Sequence, residues 1–353
     1  MIQRFLHGRL FYIIFGALVM SLYVKTLGMG SLESITSSQS LHVEEAPTDA
    51  SSWRFESPEP SQLPQVAMSH RRLTVMFAVL LLLVTGLFVG GVLVAWWAVT
   101  TDRIRSVWRF PVTLRSRWSF GELGRITFLA VAVAFLMPFV RLAILSVHPA
   151  WSLDQNLWVT ASMLLLDVLV VIAILAFAED KTRPAWAAFG VSPRGVARSM
   201  KSGLLGYLAI FPWLCGLLVL IMQVSRLLGL EPSVEPIHRL IFQERRLPVL
   251  VLTAVLACLI GPIAEEFFFR GVVYAALRQR SSRLIAMLVS AVLFSLIHAN
   301  VVGFVPILLL GMLLAYLYER TGSLIAPMTV HILHNTLLLS LAMIFRQLAP
   351  FSG

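Results

Sequence analysis

Eight apolar runs, each roughly 15 to 25 residues long, constrain this chain more than any other feature, because that is the length of helix needed to cross a bilayer. They cover residues 73–99, 126–147, 157–177, 204–228, 247–264, 284–298, 302–318 and 324–345. Composition agrees: 58% of the 353 residues are hydrophobic and only 13% charged, where soluble domains run near 45–50% and about 25%. The expected fold is an all-α polytopic transmembrane helical bundle with about eight core spans.

The N-terminus adds a short apolar run, Leu10 to Val24, behind the basic residues Arg4 and Arg9. It reads as a signal anchor or a signal peptide over residues 1–27, the anchor favoured because no A-x-A cleavage pattern follows. Residues 28–72 shift to Ser, Pro and acidic side chains, the composition of a solvated linker. N-terminal transmembrane helices are expected over 73–202 and a catalytic core over 203–353.

The net charge of +10 does not point to nucleic acid, because the basic residues fall in alternate loops. Arg103, Arg105, Arg109, Arg115, Arg117 and Arg125 lie in one; Lys181, Arg183, Arg194, Arg198 and Lys201 in a second; Arg278, Arg280 and Arg283 in a third. The positive-inside rule puts these loops and the N-terminus in the cytoplasm of an integral protein of the cell (inner) membrane. The loop 231–246 runs against this, since it holds Arg239, Arg245 and Arg246 outside. The two cysteines, Cys215 and Cys258, both sit inside apolar runs and suggest neither disulfide nor thiolate metal site.

Three polar patterns interrupt the last hundred residues. In Gly261–Arg270, GPIAEEFFFR, Glu266 and Arg270 are i, i+4 neighbours able to pair, which leaves Glu265 free. Gly261, Pro262 and Gly271 suggest a broken or closely packed backbone there. Phe294 and His298, one turn apart, share a face near the end of the next run. His331 and Asn335 share a face of the last, with His334 about 60° round from His331. Each pattern alone has a bland reading: a helix end meeting water, an interfacial histidine, an interhelical hydrogen bond. Together they put Glu, Arg, His and Asn on three spans at membrane depth, where ionisable groups are costly and functional by default. Arg141 is the main ionisable residue outside them. A water held between a carboxylate and an imidazole, opposite His and Asn donors, is what amide hydrolysis requires.

EExxxR, FxxxH and HxxxN in this order resemble the CPBP family of intramembrane proteases, which includes type II CAAX prenyl endopeptidases and bacterial Abi-type proteins. The similarity covers roughly residues 204–345. It implies that Glu265 and His298 activate a water, that His331 and Asn335 form the oxyanion site, and that Glu266 and Arg270 organise the first helix. His334 lies outside the family pattern and is assigned to packing or to supporting a neighbouring site residue. The residue types of Glu265, His298 and His331 permit Zn²⁺, but no H-E-x-x-H helix is present, and the resemblance favours a glutamate-dependent hydrolase without bound metal. The expected partners are the lipid bilayer and a protein or peptide substrate, lipidated or not; nucleic acid is excluded. The rival readings are a transporter or proton relay, which predicts inverted repeats that are not visible, and a non-catalytic scaffold.

Overall fold

The computed structural model describes Tyr12, 71–101, Phe110, 118–148, 154–179, 184–229 and 244–348. The expected anchor apart from Tyr12, the linker as far as residue 70, and Arg103, Arg105, Arg109, Arg115 and Arg117 lie outside these residues. The described chain is all helical. It comprises α1 (Arg71–Thr100), α2 (Phe120–Val147), α3 (Gln155–Ala178), α4 (Val196–Leu228), α5 (Leu247–Arg278), α6 (Arg283–Ile297), α7 (Phe304–Thr321) and α8 (Ile325–Leu348). All but α6 are long and apolar enough to cross a membrane.

The helices start and stop for local reasons. Ser119 and Glu122 form a reciprocal capping box that starts α2 six residues before its apolar run. Asp154 caps α3 by accepting from Leu157 N–H, and Ser282 caps α6 by accepting from Ile285 N–H. Gly190, between a short 3₁₀ turn and the entry to α4, has φ 67° and lies against Gly322, which ends α7 at φ 68°. A Cβ on Gly190 would come within 1.8 Å of the Gly322 carbonyl oxygen, so this crossing admits no side chain.

α1 turns large apolar side chains outward, Leu82 and Trp96 among them, as a lipid-facing helix must. Two buried clusters hold the inner helices. One joins Ile126, Ile174, Phe177, Phe189, Phe267 and Tyr274 from α2, α3, the 3₁₀ turn and α5. The other joins Tyr207, Phe211, Leu314, Leu317, Ala326 and Val330 from α4, α7 and α8. At one contact of α4 with α8, a Cβ on Gly203 would lie 2.5 Å from the Ala326 carbonyl oxygen, so backbones meet there directly.

Two polar knots tie helix ends at opposite extremes of α5. At its start Arg246 bonds both Glu244 and Asp154, Asn156 bonds Glu244, and Arg346 at the end of α8 donates to the Glu244 carbonyl. At its end the buried Glu319 of α7 accepts from Tyr274, Arg278 and Arg283. Arg278 and Arg283 therefore fasten helices as well as adding to the basic loop.

Candidate active site

The sequence reading ends the fifth span at residue 264; the helix in fact runs on to Arg278, so the acidic pair lies inside a 32-residue helix. Nor is the backbone broken at Gly261-Pro262. The helix widens instead, with a π-helical stretch at Leu256–Ile260 and another at Glu266–Tyr274. Proline explains the first. It clashes with the carbonyl one α-turn back and has no N–H to give, and a wider turn relieves the clash. Gly261 N–H donates to the Leu256 oxygen, five residues back. The matching donor for the Ala257 oxygen would be the N–H of Pro262, which does not exist. Asn335 Nδ2, from α8, takes that oxygen at 2.9 Å.

Glu266 and Arg270 are fully buried and paired at 2.8 Å, so they are not a helix end in water. The guanidinium also donates to the Gly311 carbonyl of α7 at 3.2 Å and stacks on the Phe294 ring, 4.3 Å from its centroid. Every strong interaction of Arg270 is thus with groups other than Glu265. The same Glu266 oxygen that holds Arg270 accepts from His331 Nδ1 at 2.9 Å. A carboxylate only accepts, so Nδ1 carries a hydrogen, and the ring is fixed with Nε2 toward Glu265 Oε2 at 3.6 Å. Glu265 is 30% exposed where Glu266 is buried outright. Of the pair it is the side chain with exposed surface, while its Oε2, toward His331, is buried without a hydrogen-bond partner.

His298 follows α6, which at 15 residues rises about 22 Å and falls short of a roughly 30 Å hydrocarbon layer. The histidine is half-buried at the end of this short helix, against Phe294. Its Nδ1 bonds the Phe294 carbonyl at 2.8 Å; a carbonyl only accepts, so Nδ1 is the donor and a neutral ring keeps its lone pair on Nε2. Phe294 gathers the site, with ring centroids 4.7 Å from His298 and 5.6 Å from His331.

Glu265, Glu266, Arg270 and His331 are thus in direct contact, and His298 joins them through Phe294. Asn335 stands one turn from His331 and spends one amide hydrogen on Ala257. His334 bonds Tyr207 of α4 at 3.0 Å, which is the packing role expected of it. Among the described residues no three His, Cys, Asp or Glu side chains converge to hold a metal ion, so Glu265, His298 and His331 do not assemble the set considered for Zn²⁺.

One residue escaped the sequence reading, which singled out Arg141 as the main ionisable residue beyond the motifs. Asp167 stands in α3 amid an otherwise apolar run and faces α5, its Oδ2 3.6 Å from where a Cβ on Gly261 would be. The signal was available as a lone Asp in residues 157–177.

Comparison with known proteins follows the same segment. Residues 247–337 match the family described as type II CAAX prenyl endopeptidase Rce1-like. A candidate membrane peptidase of Bacillus subtilis, YdiL, is 32% identical over 85 residues, 24% of this chain and 35% of that protein. An uncharacterised 24.3 kDa protein of Escherichia coli is 27% identical over 133 residues, 36% of this chain and 61% of its own length. The membrane-embedded CAAX protease MroQ of Staphylococcus aureus is 26% identical over 153 residues, 42% of this chain and 58% of MroQ. Each alignment therefore covers less than two thirds of the relative. No solved structure matches the chain.

Proposed function

From the match that assigns this chain to the CAAX/Rce1-like intramembrane protease family, we propose that it hydrolyses a peptide bond of a membrane-associated protein or peptide. The observation that carries this reading is the division of labour in the acidic pair. Glu266 is consumed by Arg270 and His331, while Glu265 is partly open and faces His331 Nε2. In the proposed mechanism Glu265 takes a proton from a water whose oxygen bonds to the scissile carbonyl carbon, and His298 orients that water through Nε2. The oxyanion is met by the second amide hydrogen of Asn335 and by His331, which donates at Nε2 when it carries both ring protons. Glu265 returns its proton to the departing amine nitrogen as the C–N bond breaks. Substrate reaches the site from lipid or from the cytoplasmic side, where the basic loops are placed.

The test is cleavage of a library of membrane-associated peptides by purified wild type and Glu265→Gln, read by mass spectrometry with and without a zinc chelator. Glu265→Gln keeps the shape and removes the base, so cleavage is expected to fall by at least about 10²-fold. Equal cleavage by both proteins refutes the role of Glu265. Loss on chelation points to a metal-dependent reaction instead.

A further inference from the structure

Asp167 is the carboxyl near this site that the mechanism above does not use. It lies in the middle of α3, which packs along the part of α5 holding Gly261, Pro262 and the acidic pair. Gly261 leaves room for it, and Glu265, one turn further along α5, shares the face of Gly261. Asp167 and Glu265 therefore line the same stretch of the α3–α5 contact. Among the described residues Asp167 makes no hydrogen bond or ion pair. By contrast, Glu266 and Glu319 each meet arginine.

The charged and titratable groups around Glu265 are His331 from α8, 3.6 Å away, Asp167 from α3, and Glu266 and Arg270 from its own helix. Arg270 is committed to Glu266, the Gly311 carbonyl and Phe294. The 3₁₀ turn Ala185–Phe189, AWAAF, also packs on α3 and has no charged side chain. Two neighbouring carboxyls in a medium of low dielectric do not both ionise when no cation stands between them.

We propose that Asp167 is a positioning residue that acts through Glu265, the two carboxyls keeping one proton between them so that the pair carries a single negative charge. This deepens the proteolytic reading and rests on it. At each turnover the pair takes one proton from the attacking water as the C–O bond forms. It gives one to the amine nitrogen as the C–N bond breaks, and it ends with the proton it began with.

The test separates the proton from the protease. Infrared difference spectra of the full chain in detergent at neutral pH, compared between wild type, Asp167→Asn and Asp167→Leu, read the C=O stretch of a protonated carboxyl. The expected result is one such band, sensitive to deuterium exchange, in wild type and its absence from both variants. A band that is missing from wild type, or unchanged in the variants, overturns the inference whatever the protein cleaves. In cleavage assays both variants are expected to keep KM and lose kcat by about 10- to 10²-fold, with one limb of the pH–kcat profile lost, since a coupled pair titrates in two steps. Both should unfold no earlier than wild type, because they remove an unpartnered carboxyl from a span. A pH–kcat profile that superimposes on that of wild type also overturns it. Full activity of Glu265→Gln would refute the role of Glu265, and with it any action of Asp167 through that residue, while leaving proteolysis itself standing.

Discussion

Arg270 shows how one side chain can hold a site it does not itself perform chemistry in. Its guanidinium is fully buried and joins Glu266, the Gly311 carbonyl and the Phe294 face. Removing it leaves Glu266 as a buried charge balanced by a histidine alone, and losing one partner of a buried pair costs about 3–5 kcal/mol. Arg270→Leu is therefore expected to lower the thermal unfolding temperature in detergent sharply. Glu266→Gln/Arg270→Leu is expected to be more stable than the single variant, because no charge is stranded. Arg270→Lys keeps the charge but not the planar fork, and is expected to lose the Gly311 and Phe294 contacts while keeping Glu266. The i, i+4 pairing was legible from EExxxR alone. That Glu266 also orients His331 was not, because 65 residues separate them and only the packing of α8 on α5 brings them together.

At the scale of the element, α5 is a helix whose pitch is altered on either side of Glu265. Pro262 leaves the Ala257 carbonyl without a backbone donor, and Asn335 fills the gap. Pro262→Ala restores an N–H able to compete for that oxygen. It is expected to keep or raise stability while lowering kcat/KM, as Asn335 loses the bond that orients it; parallel thermal and kinetic measurements on the one variant check both. A substitution that leaves kcat/KM unchanged would show that Asn335 is placed by α8 alone. Sequence signalled the irregularity through Gly261 and Pro262, but a proline inside an apolar run marks a kink, a break or a widened turn equally well. The choice was made by the neighbours, which offered an amide to the freed carbonyl.

At the scale of the molecule, the helices that carry the site are fastened at both ends, by Glu244 with Arg246 and Asp154 on one side and by Glu319 on the other. Hydrogen bonding to Arg246 holds the Glu244 carboxyl far below its ordinary 4.5, and the same guanidinium lowers Asp154 from 3.8. Both carboxyls have their pKa lowered by folding. Their contribution is therefore complete above the unfolded values and disappears as pH falls through the folded ones. Thermal unfolding followed from pH 7 to pH 3 is expected to show stability falling below about pH 4.5. Arg246→Ala is expected to be less stable at pH 7 and to show a flatter decline, since it has less to lose. An identical acid decline in the variant would assign the sensitivity to other carboxyls.

The sequence by itself determined that this chain is a helical membrane bundle, because apolar runs of spanning length have no other way to satisfy their backbone in lipid. It also determined which residues are candidates for chemistry, since charge at membrane depth is too costly to be incidental. Only the tertiary structure decided which of them meet. It buried Glu266 and left Glu265 partly exposed, turned His331 between them, and set His298 beside Phe294 at the end of a short α6. It also set Asp167 of α3 over the gap left by Gly261. Those outcomes depend on how helices far apart in sequence pack, on missing Cβ atoms and on carbonyls left without donors, and no local pattern of residues encodes them.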